Sequence, residues 1–192
     1  MSAVLRATAM LVDPAAAWRR IEGESADQFY LLTGYVALLA LIPALCGFFG
    51  ACVIGVAVPG SGSVRAPLFD GVFGAIFGYM ATFVELVMIG LWIDLLAPRF
   101  CGRRDLVGAL KLAIYSFTPL WLAGIFLLLP GLQFLVLTGF YGGYLLAQGL
   151  APVMKSRAEK TAAYTAVVVA FAAVLTLLIV AAQRALFGTA GL

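Results

Sequence analysis

Few side chains in this sequence could do chemistry, and one stands apart: Glu85, a carboxyl group inside the apolar stretch 71–96. A carboxylate at the centre of a bilayer costs about 3 kcal/mol even on the mildest insertion scale. Its position therefore implies a proton or cation to hold, or hydroxyl groups that satisfy it. Candidate hydroxyls at a similar or slightly inner depth are Tyr115, Ser116, Thr118, Thr138, Tyr141 and Tyr144. Pro43 and Pro119 would break their helices near the same level, each freeing a backbone carbonyl. Broken helices around a midplane acid form the pattern of an ion-coupled transporter. The same groups joined only by interhelical hydrogen bonds, worth about 0.6 to 2 kcal/mol each, would be purely structural.

Other chemistries are poorly supplied. The chain has no histidine, which removes Ser-His and Cys-His nucleophilic pairs, histidine metal ligands and axial-histidine haem sites. Asp70, Glu85, Asp94 and Asp105 have no spacing typical of a metal site, so neither a metal nor another cofactor is expected, and the chain does not read as an enzyme. Three cysteines make no disulfide framework. Cys46 and Cys52 lie about 240° apart on a helix, whereas Cys101 sits beside Arg103 and Arg104, which could favour its thiolate. Asp94 is nine residues past Glu85, hence about 13 Å along the axis and half a turn round. The two acids do not form a relay. Lys111 lies at a similar depth to Asp94, and an Asp94–Lys111 ion pair between neighbouring helices is expected.

The elements that position these groups follow from composition. Of 192 residues, 64% are apolar and 11% charged, with net charge +3 and a mean hydropathy of +1.09. A soluble domain carries charge on about a quarter of its residues, so the expected class is an all-α polytopic membrane protein. A helix needs about 20 residues to cross the hydrocarbon. Charge-free runs extend over 28–64, 112–154 and 161–183. The second holds two crossings, divided at Pro130-Gly131, the strongest breaker pair near its middle. The end of the first, 58–64, is rich in Gly, Ser and Pro and reads as an irregular loop. Five transmembrane helices are thus expected at about 30–55, 71–96, 107–129, 132–150 and 161–186, preceded by an N-terminal segment 1–29 and followed by a tail 187–192.

Charge sets the orientation. Ten of the twelve Lys and Arg fall in alternate connections, and only Arg65 and Arg184 fall on the opposite side. By the positive-inside rule the N-terminus is expected in the cytoplasm and the C-terminus outside. Charges interrupting the first 27 residues argue against a cleaved signal. Asp13 and Pro14 read as N-cap and N1 of a short amphipathic helix. With a weak apolar stripe of Val4, Leu5, Leu11 and Val12, and with Trp18 and Ile21 beside Arg19 and Arg20, this segment is expected to lie along the membrane interface. Arg19, Arg20, Arg103, Arg104, Lys155 and Arg157 are the expected contacts to lipid headgroups. Asp105 reads as the N-cap of the third helix. The Gly74/Gly78 and Gly139/Gly143 pairs would allow close helix approach.

Several stretches carry a resemblance. They run from Cys101-Gly102 through Leu110-Lys-Leu-Ala-Ile-Tyr-Ser-Phe-Thr-Pro119, then Pro130, then Tyr144-Leu-Leu-Ala-Gln-Gly149-Leu-Ala-Pro-Val-Met-Lys155, and end in Lys160-Thr-Ala-Ala-Tyr164; upstream stands Asp13-Pro-Ala-Ala-Ala-Trp-Arg-Arg-Ile21. Together they resemble the bacterial branch of the Yip (Ypt/Rab-interacting protein) family. The resemblance implies five spans, a cytosolic N-terminus, a place in the inner membrane of a bacterium, and an adaptor or membrane organiser. Eukaryotic relatives act with Rab GTPases through a long polar N-terminal region and an Asp-Leu-Tyr-Gly-Pro element. This sequence has neither, so the resemblance does not extend to a GTPase partner. The expected function is therefore non-enzymatic binding of lipids or other membrane proteins, including a second copy of itself, without nucleic acid. The alternative is a small proton- or cation-coupled transporter or channel centred on Glu85. Five spans cannot hold an inverted repeat, so a symmetric alternating-access machine would need a dimer.

Overall fold

The computed structural model describes residues 3–23, 31–58, 62–129 and 131–187. Two short helices, α1 (Ala3–Val12) and α2 (Pro14–Gly23), precede five long ones. These are span 1 (Thr33–Ile54), span 2 (Leu68–Phe100), span 3 (Leu106–Leu128), span 4 (Gln133–Met154) and span 5 (Ala158–Phe187), each long and apolar enough to cross a bilayer. The chain is an all-α polytopic membrane protein with five transmembrane helices. Residues 24–29 of the N-terminal segment, Tyr30, Pro130 and 188–192 of the tail lie outside the described residues.

Local chemistry explains the boundaries. The Asp13 carboxylate accepts from the Ala16 amide at 3.0 Å and Asp105 accepts from the Gly108 amide at 3.1 Å; both are side-chain N-caps. Gly131 adopts φ +92° between spans 3 and 4, a conformation that costs glycine little. The two prolines predicted to break their helices sit in different settings. The α-helical part of span 1, Ala37–Phe48, runs straight through Pro43, and its departures from α geometry are π turns at Leu31–Val36 and Phe49–Ile54. Span 3 divides at Phe117, with Pro119 in the first turn of the new helix Thr118–Ala123, where its missing N–H leaves no bond broken. The connection between spans 1 and 2 is not wholly irregular: β1 (Val56–Val58) and β2 (Gly62–Val64) pair antiparallel, Val56 opposite Val64.

The core is unevenly distributed. Its largest fully buried side chains include Trp18, Tyr35, Ile93, Tyr115, Leu150 and Tyr164, all in the half of the bundle beneath α1 and α2. We call this the capped half. The other, open half closes on small residues. A Cβ on Gly50 would lie 2.1 Å from the Leu127 carbonyl oxygen, and one on Gly124 would lie 2.6 Å from Pro43 Cβ. Around it, Phe69, Phe73, Ile76, Leu177 and Leu178 turn outward, as lipid-facing side chains do.

The N-terminal helices pack into this core. Trp18 is fully buried, and its indole N–H donates to the Leu145 carbonyl at 2.9 Å. Its ring occupies space that any side chain at Gly149 would fill, the nearest ring atom being 2.6 Å from an added Cβ. The tryptophan expected at headgroup depth therefore faces protein, while Arg19 and Arg20 stay exposed. Similarly, among the described side chains of α1 Ala7 and Met10 are buried, while Leu5 and Val12 of the expected stripe are exposed and Val4 lies outside the described side chains.

Candidate functional site

Glu85 lies on a face of span 2 with Leu86, Ile89 and Ile93, and only 7% of it is exposed. Its partner is Thr176 of span 5, whose Oγ1 is 2.5 Å from Glu85 Oε1 and 2.9 Å from the Ala172 carbonyl oxygen. One hydroxyl has one proton to give. It can donate to an ionised Glu85, or donate to Ala172 while accepting from a protonated Glu85. The pair accommodates both states of the acid with little movement. Thr176 was missed in the sequence, although it is the lone polar residue between Thr165 and Gln183 and lies at about the depth of Glu85 when both helices are counted from the same end.

From Glu85 a cavity of about 320 Å³ extends into the open half, walled chiefly by spans 1, 2, 3 and 5, with Val136 of span 4. Tyr79, Thr82, Trp121 and Gln183 line it, and Arg184 stands at its exposed end. Each of the neutral polar groups Tyr79, Thr82 and Gln183 donates to a backbone carbonyl. Tyr79 donates to the Ala37 carbonyl at 3.1 Å, Thr82 to the Gly78 carbonyl at 3.0 Å, and Gln183 to the Gly74 carbonyl at 2.8 Å. That last bond draws the Gly74/Gly78 face of span 2 against span 5.

The other predicted hydroxyls do not reach Glu85. Tyr115 accepts from the Arg6 guanidinium at 2.8 Å and packs edge-on against Tyr35, ring centroids 5.0 Å apart. Tyr35 and Thr118 share a hydrogen bond of 2.8 Å. These buried groups knit α1, span 1 and span 3 together in the capped half. Tyr141 reaches the Leu11 carbonyl at 3.4 Å and is partly exposed, as is Tyr144. Thr138 bonds to the Leu135 carbonyl in its own helix. Ser116 is buried, with no hydrogen-bond partner for its hydroxyl among the described residues.

The expected Asp94–Lys111 pair is not made. Lys111 is buried and its ammonium donates to the Ile21 carbonyl at 3.1 Å, completing the C-terminal turn of α2 as a cation at a helix C-terminus does. Asp94 Oδ1 is buried without a hydrogen-bond partner among the described residues, near Tyr164, whose hydroxyl donates to the Ile93 carbonyl.

A second cavity of about 340 Å³ lies between spans 3, 4 and 5 and shares Phe117, Leu120, Val136 and Thr176 with the first. It forms because the first half of span 4, the 3-10 segment Gln133–Phe140, packs chiefly on span 3 rather than on span 5. Its walls are apolar apart from Ser116 and Thr176, and its rim carries Leu137, Phe140 and Leu177, each more than 60% exposed. It opens sideways, on the lipid-facing surface.

The basic residues gather at the capped end. The Arg103 amide donates to the Met154 carbonyl at 2.8 Å, which ties the connection after span 2 to the one after span 4. Arg103, Arg104, Lys155 and Arg157 are exposed there, and Lys155 forms an ion pair with Glu22 of α2. Cys101 is exposed beside Lys160, whose Nζ is 3.5 Å from its sulfur. Among the described residues no group of three or more His, Cys, Asp or Glu could hold a metal ion.

Comparison with known proteins adds an independent line. Residues 8–181 match the family model of the Yip1 domain. The inner membrane protein YohC of Escherichia coli (strain K12) is 29% identical over 143 residues, 72% of each chain, and the protein of the same name in Escherichia coli O6:H1 matches equally. No solved structure matches.

Proposed function

The chain belongs to the Yip1 domain family, and from that premise we propose that it is a non-enzymatic protein of a bacterial inner membrane that organises the bilayer by binding lipid. The carrying observation is the groove between spans 3, 4 and 5: apolar, within the membrane-spanning region, and rimmed by exposed Leu137, Phe140 and Leu177. Its occupant enters from hydrocarbon and meets almost no polar wall, which suits an acyl chain. The exposed bases at the capped end support the same reading, since they suit anionic headgroups. The inner-membrane placement follows the relatives' name, and the charge asymmetry supports a cytoplasmic N-terminus.

The test is native mass spectrometry of protein extracted in mild detergent. Wild type should retain phospholipid, and Gly143→Leu should release it. A Cβ at Gly143 meets nothing closer than Val169 at 3.6 Å, so the larger side chain can enter the groove without disturbing the backbone. Equal retention by both proteins would sink the proposal, as would a lipid-free dimer of wild type whose second copy covers the groove.

A second reading, ion-coupled transport, is supported by one feature: the Glu85 cavity and a hydroxyl partner that accepts either proton state. In liposomes it requires proton or cation flux that Glu85→Gln abolishes. Absence of flux under every imposed gradient would remove it.

A further inference from the structure

The open-half cavity has a chemical bias distinct from the lipid groove. Two hydroxyls in its wall, on Tyr79 and Thr82, spend their single protons on backbone carbonyls, and the Gln183 amide spends one of its two N–H groups in the same way. The hydroxyls can still offer lone pairs inward, and Gln183 its carbonyl oxygen and one N–H. Glu85 adds a carboxyl group, 7% exposed, whose second oxygen takes no hydrogen bond among the described residues. Phe117, Trp121 and Tyr79 supply aromatic rings, and ring faces attract cations. The one cation nearby, Arg184, is an exposed side chain eight residues past Thr176, roughly 12 Å along the helix. It can stay hydrated at the membrane boundary, whereas Glu85 cannot.

We infer that this cavity is a binding site for a small organic ammonium ion with an apolar or aromatic body, its N–H groups donating to Glu85 and to the acceptor-lined wall. An anion would meet a carboxyl group and lone pairs. A neutral alcohol would bring one donor and no charge to a site with several acceptors. At about 320 Å³ the space lies at the small end of ligand pockets, and a ring with a short ammonium arm is of the right class. The site does not depend on lipid occupancy of the other groove, nor on transport.

Three probes of one shape separate these chemistries: benzylamine, an ammonium at pH 7, benzyl alcohol and benzoate. Each is titrated calorimetrically into protein in nanodiscs, with empty nanodiscs as the blank for partitioning into lipid. Benzylamine should bind saturably, and the other two at least tenfold more weakly. Glu85→Gln, which keeps an acceptor for Thr176, should weaken benzylamine at least tenfold. Gly78→Leu should do the same from about two turns further along the same face of span 2, since a Cβ there meets only the flexible Gln183 side chain, at 3.4 Å, and a leucine extends into the cavity. Gly143→Leu, which fills only the lipid groove, should leave binding within twofold. Heat signals matching empty nanodiscs would overturn the inference, as would benzyl alcohol binding equally well. If Glu85→Gln fails to fold, Gly78→Leu decides: unchanged benzylamine affinity in that variant excludes this cavity as the site.

Discussion

The capped and open halves of this bundle solve the same problem with different materials. Beneath α1 and α2, large side chains fill the space, and aromatic groups and a lysine bond across elements: Trp18 to Leu145, Tyr35 to Thr118, Lys111 to Ile21. In the open half, glycines bring backbones together at isolated points and leave cavities between them. The contrast extends to whole spans, since 61% of the apolar window of span 3 is buried in protein but only 6% of that of span 5. Lipid does not drive apolar helices together as water does. Cohesion must therefore come from packing and polar contacts, and the half that lacks them is where a ligand or lipid can enter.

Substitutions test this contrast. The largest effect is expected for Trp18→Ala, which removes a fully buried indole and its hydrogen bond from the capped half; a loss of about 3 to 5 kcal/mol in unfolding free energy is expected, read by denaturant titration in micelles. A loss below about 1 kcal/mol would mean that α2 lies at the interface and off the bundle.

A smaller effect separates two neighbouring glycines where the halves meet. A Cβ on Gly142 would stand 2.3 Å from the Ser116 carbonyl oxygen, whereas one on Gly143 would meet open groove and Val169. Gly142→Ala should lose about 1 to 3 kcal/mol, and Gly143→Ala should gain up to about 1 kcal/mol from helix propensity. Equal effects would contradict the groove. The smallest change is expected on the outer face of span 5. Leu178, 60% exposed, meets lipid, and Leu178→Ala should shift stability by no more than about 0.5 kcal/mol.

How much of this was legible in the sequence depended on whether a signal is local or relational. The spans were readable because charge and length are properties of a segment, and Asp13 and Asp105 could be recognised as caps because a cap acts within three residues. Trp18 was readable as amphipathic, but an apolar face beside two arginines looks the same whether it meets headgroups or a protein groove. Thr176 carried no periodic signal, and a lone hydroxyl in an apolar helix can satisfy itself on the carbonyl four residues back, as it does on Ala172. Asp94 stood out as a partner for Lys111 because charges are visible in sequence, whereas the Ile21 carbonyl to which Lys111 donates is a group that every residue carries. Counting depth placed Glu85, Thr118 and Tyr141 at one level but could not say which faces met.

The central functional claim is that lipid occupies the groove between spans 3, 4 and 5. Its most direct test uses a phospholipid with a photoactivatable group midway along one acyl chain, cross-linked to the protein in nanodiscs and mapped by peptide mass spectrometry. Adducts should concentrate on groove residues such as Gly143, Val169 and Ala173, and should disappear there in Gly143→Leu. Adducts on the outward face of span 5, at Val174 and Leu178, with none in the groove, would contradict the account.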